Sequence, residues 1–197
     1  MSKLPVVTVL STGNEIQPPG QRLLPGHVRD SNKTTLMSLL SSSGVKPRDG
    51  GIARDEITIL TNSLHEALKS SEIVVTTGGV SMGDRDLLRQ VLVDNFGAKI
   101  QFARVNMKPG KPTTFATCTY LGRTRLVIGL PGNPVSASVT CLLYVLPAVR
   151  MLSGAEIVIG FFWISFLGKI GGNILNFNSN DIWIRILEMQ LCTSIYL

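Results

Sequence analysis

Residues Glu72–Leu92 read EIVVTTGGVSMGDRDLLRQVL. Ile73–Thr77 is a run of β-branched residues without polar alternation, which suits a strand covered on both faces within a parallel sheet. Gly78 and Gly79 then break the run, and from Asp86 to Val93 the residues Leu87, Leu88, Val91 and Leu92 recur at helical spacing toward that strand. A buried strand passing through a glycine turn into an amphipathic helix is half of a βαβ unit, so this stretch sets the expectation of an α/β fold.

The flanking sequence repeats the rhythm. Val6–Leu10 reads as a buried strand with STGNE as its exit loop, and a Pro- and Gly-rich loop follows. Asp30 or Ser31 then caps a helix that places Leu36, Leu39 and Leu40 on one face and ends at Gly44. GGIARDE reads as a strand end and loop, and Ile57–Ser70 carries Leu60, Leu64, Ala67 and Leu68 at helical spacing. From Lys99 the pattern changes: KIQFARV is a strand, MKPGKP a stiff loop, and TTFATCTY with TRLVIGL a hairpin turning at Gly122. LPGNP leads into one long apolar helix, Val135–Leu152, with a kink expected at Pro147. The expectation is a three-layer α/β/α sandwich with a mostly parallel sheet over 4–154. Residues 155–197 are aromatic and Asn-rich without clear period, and read as an atypical tail outside that domain.

Composition narrows the partners. At 44% hydrophobic and 16% charged residues the chain is globular. Its net charge of +6 is spread out, and aromatics are only 6%, so the clustered bases and stacking platforms of nucleic-acid binders are missing. A small anionic ligand is the better expectation. Cys118, Cys141 and Cys192 lack metal or redox spacing and read as reduced, and the amino terminus lacks the apolar core of a secretory signal, so a cytosolic protein is expected. Ile157–Leu167 is short of the roughly 20 residues that cross a bilayer, which leaves membrane contact at most peripheral.

In a doubly wound sheet ligands sit outside the carboxyl ends of the strands. Three loops expected there are chemically unusual: STGNE, TGGVSMGDRD and LPGNPVS, with MKPGKP nearby. Gly78 and Gly79 open the main-chain N–H groups to a ligand, Ser81 adds a hydroxyl, and a helix amino terminus follows. Gly132, Pro134 and Ser136 suit a second anion-binding turn, where Asn133 either caps the helix or orients a ligand. Lys108 and Lys111 sit on a proline-stiffened loop that loses little entropy on engaging an anion. Asp84 and Asp86 are either helix caps or a Mg²⁺ site. Glu15 and Asp55, each at a strand's carboxyl end, weigh toward the metal. His27 reads as a loop residue and His65 as a helix-surface residue, too far apart for a metal pair.

Taken together, STGNE, RDSN, TTGGVSMGDRD, MKPGKPTTFA and GLPGNPVSASVT, in this order, resemble the molybdopterin molybdotransferase family, comprising bacterial MoeA and the E domains of the plant homologue and of animal gephyrin. The likeness runs from about Leu4 to Gly154 and is nearest the gephyrin type. It implies the MogA-like molybdopterin-binding fold and the last step of molybdenum cofactor assembly: Mg²⁺-dependent hydrolysis of adenylated molybdopterin, insertion of molybdate and release of AMP. By motif it implies catalytic roles for Glu15, Asp55 and Asp86, with Asp55 and Asp86 holding Mg²⁺. Thr77, Gly78, Gly79, Ser81, Lys108, Lys111, Pro131, Gly132, Asn133, Pro134 and Ser136 would bind the ligand.

The resemblance also implies a homodimer in the intact family, two domains before this one and a small β domain after it; neither flanking pattern is recognisable in this chain. Gephyrin-type members further imply a scaffold alternative, with synaptic receptor and cytoskeletal partners. A non-catalytic binding fragment is the third reading.

Overall fold

The computed structural model describes residues 4–79 and 86–154. The expected tail, with Cys192 and Ile157–Leu167, and the turn residues Ser81 and Asp84 lie outside the described residues.

Strand β1 (Val7–Thr12) is buried along its whole length, as its apolar run requires. Short strands β2 (Ile16–Gln17) and β3 (Val28–Arg29) pair in parallel and organise the Pro/Gly-rich segment that the sequence suggests only as a loop. Helix α1 (Ser31–Ser42) starts at Asp30, whose side chain accepts from the Lys33 amide at 3.1 Å. Strand β4 (Arg48–Ala53), helix α2 (Ile57–Ser70) and strand β5 (Ile73–Thr77) follow, the last two with the expected bounds. Helix α3 (Leu87–Phe96) is capped by Asp86. Strands β6 (Lys99–Phe102), β7 (Thr114–Tyr120) and β8 (Arg123–Leu130) complete the main sheet, with Leu121 and Gly122 at positive φ in the β7–β8 turn.

Among the described residues the main sheet has the order β4-β1-β5-β8-β7-β6. β4, β1, β5 and β8 are mutually parallel, while β7 runs antiparallel to β8 and to β6. Alternate residues of each central strand serve opposite cores. Val7, Val9, Ile73, Val75 and Ile128 pack with Leu36, Leu40 and Tyr144 on one side. Leu10, Val74 and Val127 pack with Leu64, Leu68, Leu88 and Leu92 on the other. The result is the expected α/β/α sandwich.

The last helix differs from the expected form. It comprises α4 (Pro134–Thr140), a π-helical segment Cys141–Val145 and α5 (Leu146–Leu152). The Leu146 amide reaches the Cys141 carbonyl, one residue further back than in an α-helix. Pro147 has no N–H to give and its ring would press on the carbonyl four residues back, so the widened turn upstream absorbs what the sequence suggests as a kink. The helix is apolar because Cys141, Tyr144, Val145, Ala148 and Val149 are buried against the sheet.

β1 is followed by β4 on one side and, after α2, the chain crosses to β5 on the other. The strand order therefore reverses between β1 and β5, and the loops leaving their carboxyl ends diverge. A crevice opens at such a point.

Candidate functional site

That crevice is a pocket of about 810 Å³ lined from several separate segments. The β1 exit contributes Thr12, Gly13 and Glu15; the start of α1 gives Asp30 and Asn32; the β4 exit gives Asp55; the β5 exit gives Thr77, Gly78 and Gly79; and the β8 exit gives Gly132 and Pro134.

Hydrogen bonds across the loops fix their relative positions. The Gly13 amide donates to the Ala53 carbonyl at 3.1 Å, and the Asp55 amide to Asn14 Oδ1 at 3.1 Å, tying the β1 and β4 exits together. The Val28 amide holds the Glu15 carbonyl at 2.8 Å. The Gly78 amide donates to Leu130 at 3.3 Å, and Thr77 Oγ1 donates to the Pro131 carbonyl at 3.3 Å. Asn32 Nδ2 donates to Thr77 Oγ1 at 2.9 Å and to the Gly132 carbonyl at 2.8 Å.

The glycines are there for contact distance. Gly78 has φ +89°, and a Cβ on it would collide with the Thr12 carbonyl oxygen; one on Gly79, at φ +64°, would stand 2.6 Å from Thr12 Oγ1. A Cβ on Gly132 would lie 3.6 Å from Gly78 Cα, so the two glycine turns meet back to back. The walls at this meeting point are main chain, so a ligand there would meet backbone that a Cβ would otherwise cover.

Against this sits a pair of carboxylates. Burial, and then the adjacent negative charge of Glu15, push the Asp55 carboxyl above its ordinary value, against a lowering contribution from Asn14. Two like charges held together in one pocket suit a hard cation. Among the described residues no cluster of three or more His, Cys, Asp or Glu side chains converges, so a cation bound here could draw on at most these two carboxylates.

Asp86 caps α3, its Oδ1 accepting from the Arg89 amide at 3.0 Å, while Leu87 is its neighbour that lines the pocket. The capping role left open for Asp86 in the sequence is thus present. Asn133 likewise caps: its Oδ1 accepts from the Ser136 amide at 3.0 Å and from the Ser136 hydroxyl at 3.2 Å. Ser136 and Pro131 are buried beneath that turn. Lys108 and Lys111 are exposed. Their loop reaches the same end of the sheet, since Thr114 pairs with Gly129 near the carboxyl end of β8, but neither lysine lines the pocket.

Ser11, Asp30 and Asn32 are pocket-lining residues that the motif reading does not assign. Asp30 is visible in sequence as a cap, and RDSN marks the segment, but the chemistry turns on α1 starting next to the β5 exit. The two histidines stay apart: His65 stands at the surface against Tyr120, and His27 lies in the β2–β3 loop near the Pro25 carbonyl.

Residues 8–151 match the family model described as the probable molybdopterin binding domain. The chain is 40% identical over 150 residues to a molybdopterin molybdenumtransferase of Nostoc, covering 76% of this chain and 34% of that protein. It is 40% identical over 176 residues to gephyrin of Dictyostelium discoideum, covering 77% and 24%. Among solved structures, a molybdopterin biosynthesis MoeA protein from Pyrococcus horikoshii superposes with a TM-score of 0.69 at 33% identity, over 80% of this chain and 37% of that one. The chain thus spans about a quarter to a third of the curated relatives it matches.

Proposed function

As this chain belongs to the family of probable molybdopterin binding domains, we propose that its pocket takes adenylated molybdopterin and molybdate in the closing step of molybdenum cofactor biosynthesis. The observation that carries this reading is the meeting, in one pocket of about 810 Å³, of glycine turns at Gly78, Gly79 and Gly132 with the Glu15–Asp55 carboxylate pair. An anionic ligand favours the first and repels the second unless a cation stands between them.

Thr77, Gly78, Gly79, Ser81, Pro131, Gly132, Asn133, Pro134 and Ser136 would form the anion-binding turns. Glu15 and Asp55 would hold Mg²⁺, while Asp86 stays outside that pair as the cap of α3. Bound there, Mg²⁺ would supply charge neutralisation at the phosphate oxygens. The main-chain N–H of Gly79 would orient the phosphate, and Lys108 and Lys111 would attract it through longer-range charge. No residue is asked to act as a covalent nucleophile. The scaffold alternative draws on the gephyrin likeness, which covers 24% of that relative.

The test is AMP release from adenylated molybdopterin by the full chain, with and without molybdate and Mg²⁺, for wild type and Asp55→Asn. Release that needs both additions and drops at least about tenfold in the variant is expected. Tight binding without release would make the chain a binding module, and absence of both would end the reading.

A further inference from the structure

The pairing of β1 with β4 is interrupted once: Val9 stands opposite Asp49, but Ser11 stands opposite Ile52, so two steps along β1 match three along β4. The extra residue falls at Gly50–Gly51. A Cβ on Gly50 would stand 2.9 Å from Thr8 Cγ2 and 3.0 Å from the Val9 carbonyl oxygen, and Gly51 has φ +81°. Such a bulge re-aims the strand beyond it. Were the first register continued, Ile52 would face Thr12 in place of Ala53, and the β4 exit would lie one residue, about 3.3 Å, further along the sheet. The bulge therefore decides that the Ala53 carbonyl meets the Gly13 amide and that the Asp55 amide meets Asn14.

The bulge is held from outside its strand. Asp49 Oδ1 accepts from the Gly51 amide at 2.7 Å and from the Lys33 ammonium at 2.8 Å. Lys33 belongs to the first turn of α1, and its side chain is only 10% exposed, which is uncommon for a lysine and calls for paired charge. It has two partners: Asp49, and at 3.6 Å the second carboxylate oxygen of Asp30, the α1 cap that lines the pocket. Partial burial works to raise the Asp49 carboxyl, but Lys33 and the Gly51 amide together hold it below its ordinary value, so it stays ionised at neutral pH. Neither Lys33 nor Asp49 lines the pocket. One ammonium nevertheless joins the start of α1, with Asn32, to the strand that delivers Asp55.

We propose that Lys33 and Asp49 are positioning residues for the pocket: their ion pair clamps the start of α1 to the β4 bulge, and the clamped bulge sets where Asp55 stands beside Glu15. The clamp is a property of the chain itself, and it rests on the molybdopterin reading only for what the two carboxylates then hold.

The test is amide hydrogen exchange of the full chain without ligand, followed by titration with Mg²⁺ alone. In Asp49→Ala the Gly13 and Asp55 amides exchange about fivefold faster, the effect of one charge-assisted hydrogen bond discounted for a half-exposed carboxylate, while the amides of β5 and β8 keep their rates. Asp49→Asn and Lys33→Met leave an oxygen for the Gly51 amide and remove only the ion pair, so each opens the same two amides by less; Asp49→Asn does so without disturbing Asp30. Mg²⁺ binds Asp49→Ala severalfold more weakly than wild type. Unchanged exchange at Gly13 and Asp55, or an acceleration shared equally by β5 and β8 as in a general loss of stability, overturns the clamp. Unchanged Mg²⁺ affinity in Asp49→Ala overturns its part in placing the carboxylates. If wild type itself binds no Mg²⁺, the metal reading falls and the clamp stands or falls on exchange alone.

Discussion

The side-chain amide of Asn32 donates to the Thr77 hydroxyl at 2.9 Å, joining the first turn of α1 to the last residue of β5. Its second proton goes to the Gly132 carbonyl, so one side chain ties three segments of the pocket. Asn32→Asp has nearly the same shape but sets an oxygen against two acceptors. It should cost about 1 kcal/mol, the low end of the range for leaving polar groups unpaired, because the Gly132 bond is exposed and the Thr77 bond only part-buried. A lower urea midpoint at unchanged m value would show it, and a midpoint equal to wild type would remove the clasp.

Asp55 gives a pH signature. Burial and the Glu15 charge raise its pKa in the folded state, so ionisation there is harder than in the unfolded chain. The resulting penalty is complete above the raised pKa and vanishes below the ordinary value of 3.8. Asp55→Asn should therefore be more stable than wild type at neutral pH, with the advantage shrinking as pH falls through that window. Mg²⁺ should narrow the difference at neutral pH by favouring the charged form. Thermal unfolding of the two proteins across pH 3–7, with the cation absent and present, measures it; a difference that does not change with pH would mean the carboxylates are uncoupled.

Gly78 combines positive φ with a backbone neighbour that cannot move away. In Gly78→Ala the new methyl meets the Thr12 carbonyl oxygen. Left-handed strain and overpacking together predict a loss of roughly 2–5 kcal/mol. Gly20, at φ +89° with open space around it, is the control: its substitution by Ala carries only the conformational part, about 1–2 kcal/mol. Comparing the two by denaturant titration separates close approach from backbone strain.

Elements whose apolar period is locally complete were legible from sequence alone. Ile57–Ser70 and Ile73–Thr77 have the bounds the pattern implies, because burial on one helix face or on both strand faces is written into consecutive residues. The strand order was not, since nothing local in Val7–Thr12 states that β4 and β5 will lie on its two sides. That order turns Asn32 from an ordinary first-turn residue into the link between β5 and β8. The same applies to Asp30: a cap is readable from its place before a helix, but the ion pair of its second oxygen with Lys33 is not. The π-helical segment escaped for a related reason, since the proline that provokes it lies beyond its end.

Lys108 and Lys111 test how far the anion-binding role extends beyond the pocket. Both are exposed, and both stand at the end of the sheet where the pocket opens without lining it. Their attraction to an anion would thus act through solvent, where about 0.15 M salt screens charges beyond roughly 8 Å. Replacing both by Gln should leave stability within about 0.5 kcal/mol of wild type, as for most surface substitutions. Affinity for adenylated molybdopterin should fall severalfold in low salt, and the deficit should shrink as salt is raised. A salt-independent loss would instead show direct contact, with the loop folding over the bound ligand, and no loss in low salt would leave the anion to the glycine turns alone.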